Sequence, residues 1–201
     1  PETLRKNVEL HYQREKTLFE AIINGATAGL KLIAGIVALL LAVLGLVAML
    51  DMGMGWIGGK VNALLGISFD WHLKGLLGYV FYPFTLAIGV TPADAWPIAQ
   101  IVGERLIVTE VTAYRDLAVA MRNHVIADPR SAVIATYALC GFAHVASLAI
   151  FIGGIAAIAP NRTHALSQVG VRALVAATLA CMMTACVAGI FFSHGSLLLG
   201  H

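Results

Sequence analysis

Charged side chains are scarce in this sequence. Lys, Arg, Asp and Glu make up 12% of its 201 residues, whereas soluble globular proteins carry about 25%. The net charge is only +2, so no basic excess indicates a nucleic-acid partner. The composition therefore argues against a soluble domain and gives no reason to expect binding to nucleic acid.

Several chemical signatures are also missing. The opening stretch, PETLRKNVELHYQREK, is charged and amphipathic, without the apolar core and cleavage site of a signal peptide; we interpret the sequence as part of a longer chain. Cys140, Cys181 and Cys186 all lie in apolar runs, which predicts packing thiols and no disulfide framework. Neither a metal-binding His pair beside a Glu nor a nucleophile elbow is present. An intramembrane enzyme built on Glu110 and His144 is therefore poorly supported.

Long apolar runs dominate what is present. Leu32 to Leu50, Ser131 to Ala159 and Ala173 to Phe192 contain no Asp, Glu, Lys or Arg. A helix of about 20 residues crosses a hydrocarbon core of about 30 Å. The pattern predicts an all-α membrane protein with three full spanning helices, one of them broken, plus a re-entrant helical hairpin and interfacial helices.

The order of these segments separates residues 1–91 from residues 92–201, which hold the polar segments. Gly-rich sequence with Trp56 and Trp71 suits a membrane boundary, and two short helical patterns around polar residues suit a re-entrant hairpin. More Lys and Arg fall on the side of the N-terminus, which predicts a cytoplasmic N-terminus and an outside C-terminus. The predicted segments are a cytoplasmic interfacial helix and lead-in at 1–31, a transmembrane helix at 32–50, an interfacial loop and helix at 51–91, the hairpin at 92–125, the broken helix at 131–159 and the last span at 173–192.

Glu110 is the first unexpected polar residue, because it lies inside the apolar run 106–113. A charged side chain at the centre of a bilayer costs about 2.5–3.5 kcal/mol on insertion scales, so it normally faces a cavity or a partner. One interpretation is that Glu110 faces a wet cavity and accepts hydrogen bonds from a hydroxyl-bearing ligand. The alternative is that it reaches the interface or pairs with Arg105 or Arg115.

The run 131–159 contains a second polar seam. Thr136, Cys140, His144 and Ser147 follow one another at spacings that place them on one helix face, and Gly141 between them weakens the helix. A Gly-interrupted apolar segment with polar groups is typical of a transporter binding site. A single tilted helix whose His and Ser bond to neighbours would explain the pattern equally well.

Two strings carry a resemblance to a known family. GERLIVTEVTAY and IATYALCGFA, the latter within PRSAVIATYALCGFAHVASLAIFIGGIAAIAP, resemble the C-terminal half of the concentrative nucleoside transporters, over nearly the whole sequence. The resemblance implies cation-coupled nucleoside import by alternating access, in which a transport unit at 92–201 moves against a scaffold helix at 32–50, and no enzyme activity. It implies a homotrimer in the plasma membrane, or in the bacterial inner membrane if the source is prokaryotic. No cofactor is implied; the coupling ion would be Na+ or H+, with most ligands in the other half.

The resemblance also assigns roles to single residues. Glu110 would be the acid at the hairpin tip that binds ribose hydroxyls, Phe142 would lie at the helix break beside the substrate, and Ser147 would be a second ribose contact. Two positions depart from the family, which usually has Asn where Thr109 and His144 stand. Neutral His offers one donor and one acceptor on a larger ring and can become charged, so we expect altered specificity or pH dependence.

Two alternatives stay open beside this interpretation. One is a transporter of the same fold for another small polar solute. The other is a non-transporting membrane protein with a decayed site.

Overall fold

The computed structural model describes residues 15–158 and 163–193. All regular structure in these two ranges is helical, so the predicted all-α class is confirmed. In chain order the helices are α1 (Leu18–Leu65), α2 (Leu73–Ala87), α3 (Pro92–Arg105), α4 (Glu110–Arg122), α5 (Pro129–Leu139), α6 (Val145–Ile158) and α7 (Thr163–Ile190).

Helix α1 runs without interruption for 48 residues. Thr17 begins it by accepting a hydrogen bond from the Glu20 N–H, and Gly66 ends it with φ 65°, in the left-handed conformation favoured at helix C-termini. The predicted lead-in and scaffold helix are therefore one element, and the loop predicted from residue 51 onward is wrong as far as Leu65. The predicted interfacial helix near the N-terminus lies partly outside the described residues.

Tertiary packing explains the glycines that suggested a loop. Gly is a poor helix former, but a Cβ at Gly58 would collide with the Trp71 side chain. The segment after α1 therefore folds back onto the helix where side chains are missing. Asn62 holds it there, because its Nδ2 donates to the Phe69 carbonyl at 2.8 Å and its Oδ1 accepts from Trp71 Nε1 at 2.9 Å.

The N-terminus of helix α2 is capped by an acidic side chain of α1. Asp51 Oδ1 accepts a hydrogen bond from the Leu73 N–H at 2.7 Å, and its Oδ2 lies 3.1 Å from His72 Nδ1. The first N–H groups of a helix have no partner within it, so Asp51 acts as an N-cap from a different helix. From this start α2 continues through Pro83 and packs along α3.

Buried apolar side chains concentrate in α3 and α5, with contributions from α2, α4 and α7. Among the described helices, α1 and α7 are long and apolar enough to cross a membrane, and no residue in the most apolar stretch of α1 is buried. The run 131–159 is indeed interrupted: α5 and α6 have 11 and 14 residues, each shorter than a span. The number of crossings stays a prediction.

The predicted hairpin region contains two short helices, α3 and α4, joined by residues 106–109. The two helices contact each other, and both also contact α5. This arrangement brings the connection between them close to the interruption between α5 and α6. How deeply the pair enters a membrane stays a prediction.

Candidate functional site

The site forms where two interruptions of helical structure meet. One is the 106–109 connection, and the other is the 140–144 break between α5 and α6. The Val145 N–H donates to the Leu106 carbonyl at 2.9 Å, which satisfies one of the backbone donors that the start of α6 leaves without a helical partner. The backbone itself therefore joins the two interruptions.

Glu110 is the first residue of α4, at the positive end of that helix. Its Oε2 lies 2.8 Å from His144 Nε2, and the Glu110 side chain is 23% exposed while that of His144 is 2% exposed. Of the partners considered from the sequence, neither Arg105 nor Arg115 forms this ion pair in the described structure. A ligand can reach the carboxylate from the open side, whereas His144 supports it from the buried side.

His144 caps α6 through a reciprocal pair of hydrogen bonds with Ser147. The His144 Nδ1 accepts from the Ser147 N–H at 3.0 Å, and the Ser147 Oγ accepts from the His144 N–H at 3.1 Å. This is the logic of a capping box, with an imidazole and a hydroxyl as the two side chains. Because the Nδ1 lone pair is occupied, the neutral ring carries its proton on Nε2. This nitrogen lies 2.8 Å from the Glu110 Oε2, without the geometry of a hydrogen bond.

Ser147 is buried, and its hydroxyl is engaged by the backbone. The Oγ lies 2.7 Å from the His144 carbonyl and 2.8 Å from the Phe142 carbonyl, so it can donate to either. The alternative in which His and Ser bond to neighbours thus describes their contacts well, although the helix around them is broken. A sugar contact by Ser147 stays a prediction.

Phe142 and Thr109 lie on the accessible side. Phe142 is 54% exposed within the break, and its ring centroid lies 5.2 Å from that of His144. Thr109 precedes α4 without capping it through its side chain. An exposed aromatic ring, a partly exposed carboxylate and a hydroxyl residue beside it are therefore grouped at one place.

Sequence reasoning treated Arg105 only as a possible partner of Glu110, but its role differs. The side chain is 1% exposed, and its NH1 donates to the Gly141 carbonyl at 3.0 Å and contacts the Cys181 Sγ at 3.6 Å. The argument applied to Glu110, that a charge in an apolar setting needs a partner, could have singled it out.

A charge cluster beside the site was also missed. Lys74 Nζ lies 2.5 Å from both Glu104 Oε2 and Asp116 Oδ2, so one cation from α2 joins α3 and α4. Near it, a cavity of about 360 Å³ separates α1 from the 106–109 connection; it is lined by Leu44, Val47, Ala48, Asp51, Leu73, Lys74, Glu104, Ile107 and Val108. Within residues 15–158 and 163–193, no three His, Cys, Asp or Glu side chains group as a metal site would require.

Comparison with known proteins decides the family. The family model described as "Na+ dependent nucleoside transporter C-terminus" matches residues 1–189. The chain belongs to this family. The predicted resemblance is thereby confirmed, and the family is one of membrane transporters, not of enzymes.

Curated relatives extend the match. The chain is 35% identical over 198 residues to solute carrier family 28 member 3 of Eptatretus stoutii, covering 92% of this chain and 28% of the relative. It is 34% identical over 187 residues to an uncharacterized transporter of Haemophilus influenzae, covering 92% of this chain and 44% of the relative. The chain thus spans less than half the length of each of these transporters.

Solved structures support the fold of this nucleoside-transporter segment. A variant of CNTnw in an outward-facing state matches with a TM-score of 0.80 at 28% identity, over 95% of this chain and 45% of that one. CNTnw in an inward-facing substrate-bound state matches with a TM-score of 0.66 at 28% identity, over 92% of this chain and 42% of that one.

Proposed function

We propose that this chain forms the C-terminal half of a transporter that imports nucleosides by alternating access, driven by Na+ or H+. The observation that carries the proposal is the Glu110 carboxylate, held by buried His144 at 2.8 Å and still partly exposed. It lies where two interrupted helical segments meet, which is the arrangement that transporters use for substrate and ion sites. The family match supports the substrate class and favours Na+.

The exposed side of the site suits a ribose ring with neighbouring hydroxyl groups. Such hydroxyls can donate to the Glu110 carboxylate, and hydrogen bonds to a charged acceptor are about twice as strong as neutral ones. Phe142 offers an aromatic face beside the carboxylate, and Thr109 adds a hydroxyl. His144 then acts as a positioning residue, because its Nε2 lies against the carboxylate from the buried side.

Ser147 has a different place in this proposal from its partners. Its hydroxyl would contact a sugar only after it leaves the carbonyl groups of Phe142 and His144. In the present arrangement it supports the break at the start of α6. A ribose contact by Ser147 therefore belongs to a different conformational state of the transport cycle.

Transport would follow from movement of the site as one body. The Leu106 to Val145 bond and the Glu110 to His144 pair tie the α3–α4 pair to the broken helix, so these elements shift together relative to α1. We further propose a homotrimer in the plasma membrane, or the inner membrane of a bacterium, with the N-terminus of this segment cytoplasmic and its C-terminus outside.

The test is uptake of labelled uridine by the intact transporter reconstituted in liposomes, with and without a Na+ gradient and across pH. Glu110→Gln keeps the size of the side chain but removes its charge. We expect uptake at low substrate concentration to fall about tenfold to a hundredfold, since a hydrogen bond to a charged group contributes about 1.5–3 kcal/mol. The matched control is Glu20→Gln, a charge removal at an exposed position of α1, which should leave uptake unchanged.

Two results would contradict the proposal in different ways. Unchanged uptake in the Glu110→Gln transporter would mean that the carboxylate does not bind the substrate. If uridine, adenosine and free bases all fail to reduce uptake of the transported solute, a same-fold carrier of another polar solute would be favoured.

A further inference from the structure

Arg105, the last residue of α3, is a buried cation without an acidic partner. The side chain is 1% exposed, and no described carboxylate lies within ion-pair distance of it. Taking a guanidinium group out of water is costly unless other groups stabilise its charge. The groups around Arg105 must therefore supply negative potential.

The end of the broken helix supplies that potential. Helix α5 ends at Leu139, and its C-terminal end carries the negative end of the helix dipole. The Arg105 NH1 donates to the carbonyl of Gly141, just beyond this end, at 3.0 Å. Gly141 permits the close approach of Cys181, because a Cβ there would overlap the Cys181 Sγ, whereas it would make only an ordinary contact with the Arg105 NH1 at 3.7 Å.

The neighbouring residue extends this contact to the other side of the break. Arg105 holds the carbonyl that follows α5, and the carbonyl of Leu106 accepts from the Val145 N–H that opens α6. Two consecutive residues at the end of α3 therefore bind both ends of the interruption. Glu110 begins the next helix, so weakening these two backbone contacts would also move the Glu110 carboxylate.

In transporters with broken helices, unwound carbonyls and the C-terminal ends of half-helices coordinate the coupling cation. Here a covalently attached cation occupies such a position. We propose that Arg105 is a built-in cation that replaces a bound ion at the break between α5 and α6. This half of the transporter then holds its broken helix in shape without an ion of its own. The ion-replacement part of this inference rests on the proposed function, whereas the structural role of the charge does not.

The experiment compares three substitutions in the intact transporter. Arg105→Lys keeps the charge, Arg105→Met keeps most of the length without the charge, and Arg105→Ala opens the space. We expect the Met variant to lose about tenfold or more of nucleoside uptake, since the Gly141 carbonyl is left without a donor, and the Lys variant to retain most of it. The control is Arg115→Met, at an exposed position of α4, which should behave like the unchanged protein.

Chemical rescue separates the charge from simple packing. Free guanidinium chloride at low millimolar concentration should raise the thermal unfolding midpoint of the detergent-solubilised Arg105→Ala protein and restore part of its uptake. Potassium chloride at the same concentration should do neither, and the unchanged protein should not respond. A Met variant equal to the Lys variant would overturn the proposal, as would an Ala protein that ignores guanidinium or a Lys variant that does not fold.

The two proposals fail separately. Absence of nucleoside transport by the unchanged protein would remove the proposed function. The guanidinium-dependent unfolding midpoint involves no nucleoside, so it would still decide whether a cation at residue 105 holds the break.

Discussion

Gly141→Ala provides a direct test of the packing at the helix break. The added Cβ would overlap the Cys181 Sγ, which also lies beside the Arg105 NH1. Overpacking of this kind costs about 1–3 kcal/mol. Because the Cys181 sulfur is the atom that leaves no room for a side chain at residue 141, replacing Cys181 by Ala should relieve the strain that Gly141→Ala introduces.

Combining Gly141→Ala with Cys181→Ala measures the coupling free energy between the two residues. Cys181→Ala alone should cost about 1 kcal/mol through lost packing, and the protein with both changes should be more stable than the sum of the two losses implies. We expect a compensating coupling of about 1 kcal/mol or more, well above the roughly 0.3–0.5 kcal/mol within which independent changes add. The measurement is thermal unfolding of the detergent-solubilised intact protein, followed by intrinsic fluorescence.

Gly153→Ala is the matched control, because a Cβ there would make only an ordinary contact, 3.7 Å from Leu39 Cδ2. It lies inside α6, where Ala is the better helix former, so stability should be unchanged or higher. Additive losses for Gly141→Ala and Cys181→Ala, or no loss for Gly141→Ala alone, would refute the packing described at the break.

Three further predictions use the same unfolding measurement, the last adding hydrogen exchange. His144→Ala should lose about 1 kcal/mol with its side-chain cap, whereas His144→Asn should keep most of the stability because Asn also caps helices; equal losses would contradict the capping role. Lys74→Met should lower the unfolding midpoint by leaving two acids without their cation, and high salt should reduce this loss. If the Met variant unfolds at the same temperature as Lys74→Arg, which keeps the charge, the charge cluster does not stabilise the protein. Asp51→Ala should cost about 0.5–2 kcal/mol and speed hydrogen exchange at the Leu73 N–H; unchanged exchange there would exclude the cap.

Sequence reasoning succeeded where the free-energy cost of placing one residue in its local sequence decides the structure. A carboxylate in an apolar run needs a cavity or a partner, and Glu110 has a buried partner on one side and exposure on the other. Gly141 within an apolar run permitted a break but did not decide against a single tilted helix; the family resemblance favoured the break, and α5 and α6 are separate helices. The conclusion on Glu110 depends on neighbouring residues alone.

Reasoning failed where contacts between distant residues decide. The glycines of residues 51–65 predict a loop by propensity, but Trp71 needs the space that Gly58 leaves on a continuous helix. The partner of Glu110 was not foreseen, because pairing with His144 requires the 106–109 connection to meet the helix break. Arg105 was underestimated for the same reason, since its acceptor, the Gly141 carbonyl, lies in the break between α5 and α6, far away in the sequence.

The length of α1 provides a scale for estimating how deep the site lies in a membrane. At about 1.5 Å per residue, its 48 residues extend about 72 Å, more than twice a hydrocarbon core. Lys31 and Asp51 bound its uncharged stretch, which measures about 30 Å and matches that core. We therefore expect the helix ends beyond these charges to project into headgroups and water.

The connection before Glu110 shares its cavity with Leu44 and Val47. These residues lie one to two helical turns before Asp51, about 6–10 Å along the axis. We therefore expect a solute that reaches Glu110 from the Asp51 side to travel only a short distance below the membrane surface.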